Sequence, residues 1–193
     1  MIPDIGGLRP LFDDLVERLA TENDWAVVAV EPFPGREQMT LEERMAAMPT
    51  LVDDQQLGDV EAAAAVLETE PVAVIGFCMG GMYTMKAAAS ARFDRAAAFY
   101  GMIRVPEAWH GAGQFDALDL LQVPGRAERV LAIIGTADPY TPPGDVDALE
   151  ALGATVVRYD GAEHGFVHDP SRPTHRADDA ADAWHRVVDW LRV

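Results

Sequence analysis

The chain has 193 residues, 49% of them hydrophobic, which is enough for one domain with a substantial core. Its 32 acidic and 15 basic side chains give a formal charge of −17, which repels phosphate backbones and anionic lipid and argues against nucleic-acid and membrane-surface roles. No apolar run reaches the roughly 18 residues that span a bilayer, no basic-then-apolar leader opens the chain, and the single cysteine, Cys78, has no internal disulfide partner. A cytoplasmic location is expected.

Leu8, Leu11, Phe12, Leu15, Val16 and Leu19 recur at steps of three and four and predict a first helix. The continuous apolar run Trp25 to Val30 predicts a strand buried on both faces. Glu31 to Arg36 reads as loop, and Thr40 with Glu43 as a capping box opening a short helix that Pro49 interrupts. A longer helix is expected over residues 50–69. Pro71 to Phe77 then predicts a strand, followed by a turn and an Ala-rich helix through Ala91. Ala96 to Tyr100 and Val130 to Ile134 are further strands, with loop and one short helix, Phe115 to Leu121, between them. Asp145 is expected to cap a helix that Gly153 stops, Ala154 to Tyr159 to form the last strand, and residues 174–191 the last helix. The alternation predicts an α/β domain with a mostly parallel sheet and helices on both faces, occupying residues 1–193.

In open sheets of this kind ligands bind beyond the carboxyl ends of the strands, so chemistry is sought there. After the Pro71 strand comes Gly76-Phe77-Cys78-Met79-Gly80-Gly81, the cysteine form of the nucleophile-elbow pattern G-x-S-x-G. A helix starting at the sulfur aims its N–H groups and positive dipole end at a thiolate. After the Val130 strand comes Asp138, and after the Ala154 strand His164. Nucleophile, acid and histidine, in that order at three strand ends, are the groups that activate a nucleophile. In those roles His164 moves the Cys78 proton, Asp138 fixes the imidazole tautomer, and the Met79 N–H supplies half of an oxyanion hole. Each residue also has a structural alternative. A lone cysteine is often a small core hydrophobe, and Asp138 before Pro139 suits a turn. His164, His168 and Asp169 invite a metal, but Gly165 and Pro170 break the helix that would put the histidines on one face. A non-catalytic small-ligand binding protein is the second functional class; redox sensing lacks a resolving cysteine.

These residues resemble the dienelactone hydrolase family of α/β-hydrolases. The match is carried by the Gly76 to Gly81 turn, the Val130 strand ending in Asp138, and Ala162-Glu163-His164-Gly165-Phe166 followed by Arg172-Pro173. It extends from Pro3-Asp4-Ile5-Gly6-Gly7-Leu8 to the last helix. The resemblance implies the α/β-hydrolase fold, a Cys78-Asp138-His164 triad without metal or other cofactor, and hydrolysis of lactones or esters such as carboxymethylenebutenolide. It further implies that Asp4 holds the resting thiol, that Ile5 supplies the second oxyanion-hole N–H, and that Arg36 and His168 stand where the substrate carboxylate is anchored. A histidine is charged only part of the time near neutrality, and Asp4 is one methylene shorter than the family's usual glutamate. A neutral small ester or lactone is therefore expected to fit as well as a dianionic one, with the protein a monomer or homodimer. The family's sheet has strands ahead of the segment matching Asp4, one of them central, between the Trp25 and Pro71 strands. Only Met1-Ile2-Pro3 remains of it, so an upstream-extended chain is expected to resist urea better.

Overall fold

The computed structural model describes residues 1–192 and is built on four parallel strands, β1 (Ala73–Phe77), β2 (Arg95–Phe99), β3 (Val130–Gly135) and β4 (Thr155–Tyr159), in the spatial order β1-β2-β3-β4. Seven α-helices connect and cover them: α1 (Pro10–Asn23), α2 (Leu41–Ala47), α3 (Asp53–Val66), α4 (Met79–Ala87), α5 (Ala117–Leu121), α6 (Pro143–Ala151) and α7 (Ala177–Leu191). Successive strand residues point to opposite faces, so each strand feeds two cores. Ile75, Phe77, Ala97, Phe99, Leu131 and Ile133 pack against Phe12, Leu15 and Leu19 of α1 and Ala180, Ala183 and Val187 of α7. On the other face Val74, Ala96, Ala98, Ala132 and Ile134 meet α3, α4, α5 and α6. That two-sided burial is why the strands read as unbroken apolar runs. On the second face Lys86 of α4, fully buried, donates to both carboxylate oxygens of Asp53 at 2.9 Å, and Asp53 also accepts the Phe115 N–H. This ties α3, α4 and the segment before α5 together.

Most predicted elements hold, with shorter ends. The Thr40–Glu43 capping box is formed in full at the start of α2. Asp145, expected as a cap, lies inside the first turn of α6, because Pro142 and Pro143 start that helix one turn earlier with the φ that proline fixes. The Met102–Glu128 stretch contains α5 and also short 3₁₀ turns at Glu107–Trp109 and Ala127–Arg129.

Trp25 to Val30 is the larger difference. It carries no strand ladder: its side chains are half-buried, with Ala26 exposed, and among the described residues the chain beside it is only two residues long. The Met1 amino group donates to the Val28 carbonyl (2.6 Å), and the Val30 N–H donates to Met1 (3.1 Å). On the other side the Ile2 N–H donates to Ile75 (2.8 Å) and the Phe77 N–H to Ile2 (3.3 Å), a single parallel bridge to Gly76. Met1-Ile2 thus stands between the Trp25 segment and β1, as the resemblance anticipated. Beyond it the two walls, residues 25–28 and 71–75, face each other across a cavity of about 420 Å³. Burial there pushes the Met1 amine down to about 5, so it is neutral near pH 7.

Candidate active site

The site is assembled at the carboxyl ends of β1, β2, β3 and β4. Cys78 follows β1 with φ 57° and ψ −118°, a backbone position rare for any residue with a side chain. It is held there by its own N–H donating to the Phe99 carbonyl (3.0 Å) and by its carbonyl accepting from Met82 (3.0 Å) in the first turn of α4. The sharp turn needs glycine at two places. A Cβ on Gly76 would lie 2.3 Å from the Gly80 carbonyl oxygen, and one on Gly80 would lie 2.2 Å from that of Ile2. Main chain therefore packs directly on main chain, and α4 begins at the cysteine.

His164 Nδ1 lies 2.7 Å from Asp138 Oδ2, and the Asp138 side chain is fully buried. The carboxylate accepts, so Nδ1 carries the hydrogen and Nε2 is left for a second partner. The other Asp138 oxygen accepts the Tyr140 N–H (2.9 Å), which orients the carboxylate. Burial works against a charged His164, but its hydrogen bond with Asp138 and the influence of nearby Cys78 outweigh it, and the imidazole is pushed up to about 9. The structure therefore brings Cys78, Asp138 and His164 together from three separate strand ends. Tyr100 and Tyr140 present ring edges to the His164 ring at 5.2 and 4.9 Å between centroids; Tyr100 is buried, whereas Tyr140 is half exposed.

The two amides predicted for an oxyanion hole are both unengaged: among the described residues neither the Met79 nor the Ile5 N–H has an acceptor within the protein. For Met79 this is the ordinary state of a first-turn helix amide. Ile5 lies in a turn in which Gly7 donates to the Asp4 carbonyl (2.9 Å).

Asp4 and His168 stand differently from the roles the resemblance implied. The Asp4 carboxylate takes two hydrogen bonds from Arg9 (2.7 and 2.8 Å), one from the Gly6 N–H (2.9 Å) and one from His168 Nε2 (2.8 Å). Those donors fill its acceptor sites and hold it well below the usual carboxylate range in spite of burial. His168 is buried, with Nε2 on Asp4 and Nδ1 on the Tyr100 hydroxyl, so no ring nitrogen is free to reach a substrate. Burial, partly offset by Asp4, also lowers its pKa, which keeps the ring neutral. Arg36 is exposed, its guanidinium 5.5 Å from the Phe33 ring centroid.

Two contributors escaped the sequence. Arg9 gave no signal. Tyr100 did, because it follows β2 directly, at the same sheet edge as Cys78, Asp138 and His164, yet its aromatic character suited the strand itself.

Comparison with known proteins gives the family. A profile of the dienelactone hydrolase family matches residues 1–193. A Synechocystis sp. protein named as a candidate carboxymethylenebutenolidase is 30% identical over 97% of this chain and 82% of its own length. The carboxymethylenebutenolidase of Rhodococcus opacus is 28% identical over 99% and 79%. The crystal structure of a candidate dienelactone hydrolase from Klebsiella pneumoniae superposes with a TM-score of 0.80 at 25% identity, covering 98% of this chain and 84% of that one. The chain belongs to the dienelactone hydrolase family and is a carboxylic ester hydrolase on the α/β-hydrolase fold.

Proposed function

We propose that the chain cleaves small esters or lactones of the dienelactone type through an acyl-cysteine intermediate, with Cys78, His164 and Asp138 as its catalytic residues. The observation that carries this is a cysteine at a strained turn, heading a helix, beside an imidazole that a buried carboxylate holds at 2.7 Å. With its pKa raised to about 9, His164 is protonated near pH 7, the state in which it pairs with a thiolate. The thiolate attacks the acyl carbon. Charge develops on the carbonyl oxygen, where the free Met79 and Ile5 amides are available as donors. His164 then gives its proton to the leaving oxygen, the C–O bond breaks, and the alcohol departs, or stays tethered when the substrate is a lactone. A water molecule, deprotonated by the now neutral His164, attacks the thioester; the C–S bond breaks and the acid is released.

A neutral substrate suits this site. The net charge of −17 disfavours anions at long range. His168, placed where an anchoring arginine was expected, is buried and engaged, which leaves Arg36 as the remaining candidate anchor. The test is rapid-mixing hydrolysis of p-nitrophenyl acetate. A burst of nitrophenol should accompany a transient acetyl group on the Cys78 peptide by mass spectrometry, and prior alkylation with iodoacetamide should remove both. Steady turnover that persists after complete alkylation would reject cysteine catalysis. Stoichiometric binding without turnover would favour a non-catalytic binding protein. A parallel panel of neutral esters and anionic lactones should show the higher kcat/KM for the neutral compounds.

A further inference from the structure

Beside the proposed catalytic residues lies a second hydrogen-bonded chain, buried at every link but Arg9. Asp4 accepts only, so His168 Nε2 carries the hydrogen of that 2.8 Å contact. A neutral imidazole then has a bare Nδ1, which accepts from the Tyr100 hydroxyl. The same hydroxyl oxygen accepts the His168 backbone N–H at 3.3 Å. The order is therefore Tyr100 O–H to His168 Nδ1, His168 Nε2–H to Asp4, with Arg9 closing the far side of the carboxylate through two bonds. The His168 ring is boxed by Phe12, Phe77 and Tyr100 at centroid distances of 5.8, 5.0 and 5.7 Å, and the Arg9 guanidinium stacks on Phe12 at 4.8 Å. With both ring nitrogens hydrogen-bonded as well, the imidazole is held in one orientation.

Each end of the chain bears on a reacting group. Asp4 accepts the Gly6 N–H with its side chain and the Gly7 N–H with its carbonyl, which locks the turn that presents the Ile5 amide. Tyr100 sits at φ 38°, a strained position for a bulky residue, with its N–H on the Ile133 carbonyl (2.8 Å) and its ring edge against His164.

Building on the hydrolase reading, we propose that Arg9, Asp4, His168 and Tyr100 form a positioning relay that sets the Ile5 amide and the His164 imidazole together, so that His168 acts on geometry and never touches substrate. The relay runs from the first turn of the chain to the strand ends, and it gives Asp4 and His168 a purpose other than thiol-holding and anion-binding.

The experiment combines NMR with kinetics. In the unmodified protein ¹⁵N chemical shifts should show His168 as the neutral Nε2–H tautomer at pH 7. Tyr100→Phe keeps the ring and removes the donor. It should lower kcat for p-nitrophenyl acetate about 10- to 100-fold with KM nearly unchanged, the size of effect that sub-ångström misplacement of reacting groups produces. Asp4→Asn can turn an N–H toward His168, which should switch the imidazole to the Nδ1–H tautomer and lower kcat by a similar factor. His168→Gln, which retains a donor toward Asp4, should keep more kcat than His168→Leu. Unfolding midpoints separate loss of fold from loss of position. A charged or Nδ1–H His168 at pH 7 in the unmodified protein, or full kcat in Tyr100→Phe, would overturn the relay. If the unmodified protein had no esterase turnover, the hydrolase reading would fail by that result, while the tautomer of His168 would still decide the relay.

Discussion

Asp138→Asn is expected to lower kcat/KM for p-nitrophenyl acetate by about 10²- to 10⁴-fold, and Cys78→Ala to bring hydrolysis down to the uncatalysed rate. The two losses differ in kind. Cys78→Ala removes the only thiol and with it any acyl-enzyme. Asp138→Asn leaves a side chain of the same size but turns a buried acceptor into one that can present an N–H to His164 Nδ1, which favours the tautomer with its hydrogen on the wrong nitrogen. The same change removes the carboxylate that raises the His164 pKa to about 9, so the imidazole should titrate nearer its ordinary value of 6.5. In the unmodified protein kcat/KM should fall on the alkaline side as pH rises through about 9, where the imidazolium loses its proton and the leaving oxygen its acid. In Asp138→Asn that limb should move to lower pH. Stability carries the matching sign. Because the folded pKa lies above the unfolded one, the contribution of charged His164 is complete below about 6.5 and is lost as pH rises through about 9. Urea midpoints should therefore decline across that window in the unmodified protein and less steeply in Asp138→Asn. An unmoved alkaline limb would separate His164 from the chemistry.

The sequence exposed Cys78, Asp138 and His164, the proposed catalytic residues, because each follows an apolar strand, and a parallel sheet delivers the ends of its strands to one edge. Cys78, Asp138 and His164 needed nothing more than that rule and a glycine-flanked turn. The relay was hidden for physical reasons. Asp4 meets His168 across more than 150 residues of chain, and no periodicity records such a contact; Arg9 joins only through Asp4, five residues away. Family likeness pointed at the right positions, Asp4 and His168, but the shortened acid and the substituted histidine pair with each other. In a buried setting each satisfies the other's hydrogen-bonding capacity, and neither remains available to thiol or substrate. Trp25 to Val30 shows the opposite failure. Its apolar run predicted a strand buried on both faces, but a strand requires neighbours for its N–H and C=O groups along its full length, and without them the run is left half-buried.

That unpaired wall leads to the second large effect. Residues 25–28 and 71–75 flank the 420 Å³ cavity, with Leu19 and Leu191 lining one side of it and Val60, Ala64 and Leu67 another. A strand placed there would bury side chains on both faces, so it should be apolar throughout, without the alternation of a half-exposed strand. Four or five residues joined to the amino end of Met1 would span the walls at about 3.3 Å each. The direction is already fixed, since Ile2 bridges Gly76 in parallel. Joining them also turns the buried Met1 amine into a peptide N–H, which keeps the bond to the Val28 carbonyl and removes an ionisable group whose pKa burial has driven down to about 5. Each apolar side chain so buried contributes about 1.5–3 kcal/mol, against roughly 1–2 kcal/mol for ordering each residue. The newly paired backbone groups add to the favourable side, and the net gain is expected to be about 3 kcal/mol. Fusing a Val/Ile-rich pentapeptide to Met1 should thus raise the urea midpoint by about 1–2 M, given typical slopes for a domain of this size. A matched pentapeptide with a central proline, which cannot complete the ladder, should give little of that gain. Equal midpoints for both fusions and the unmodified protein would show that the gap is not a strand site.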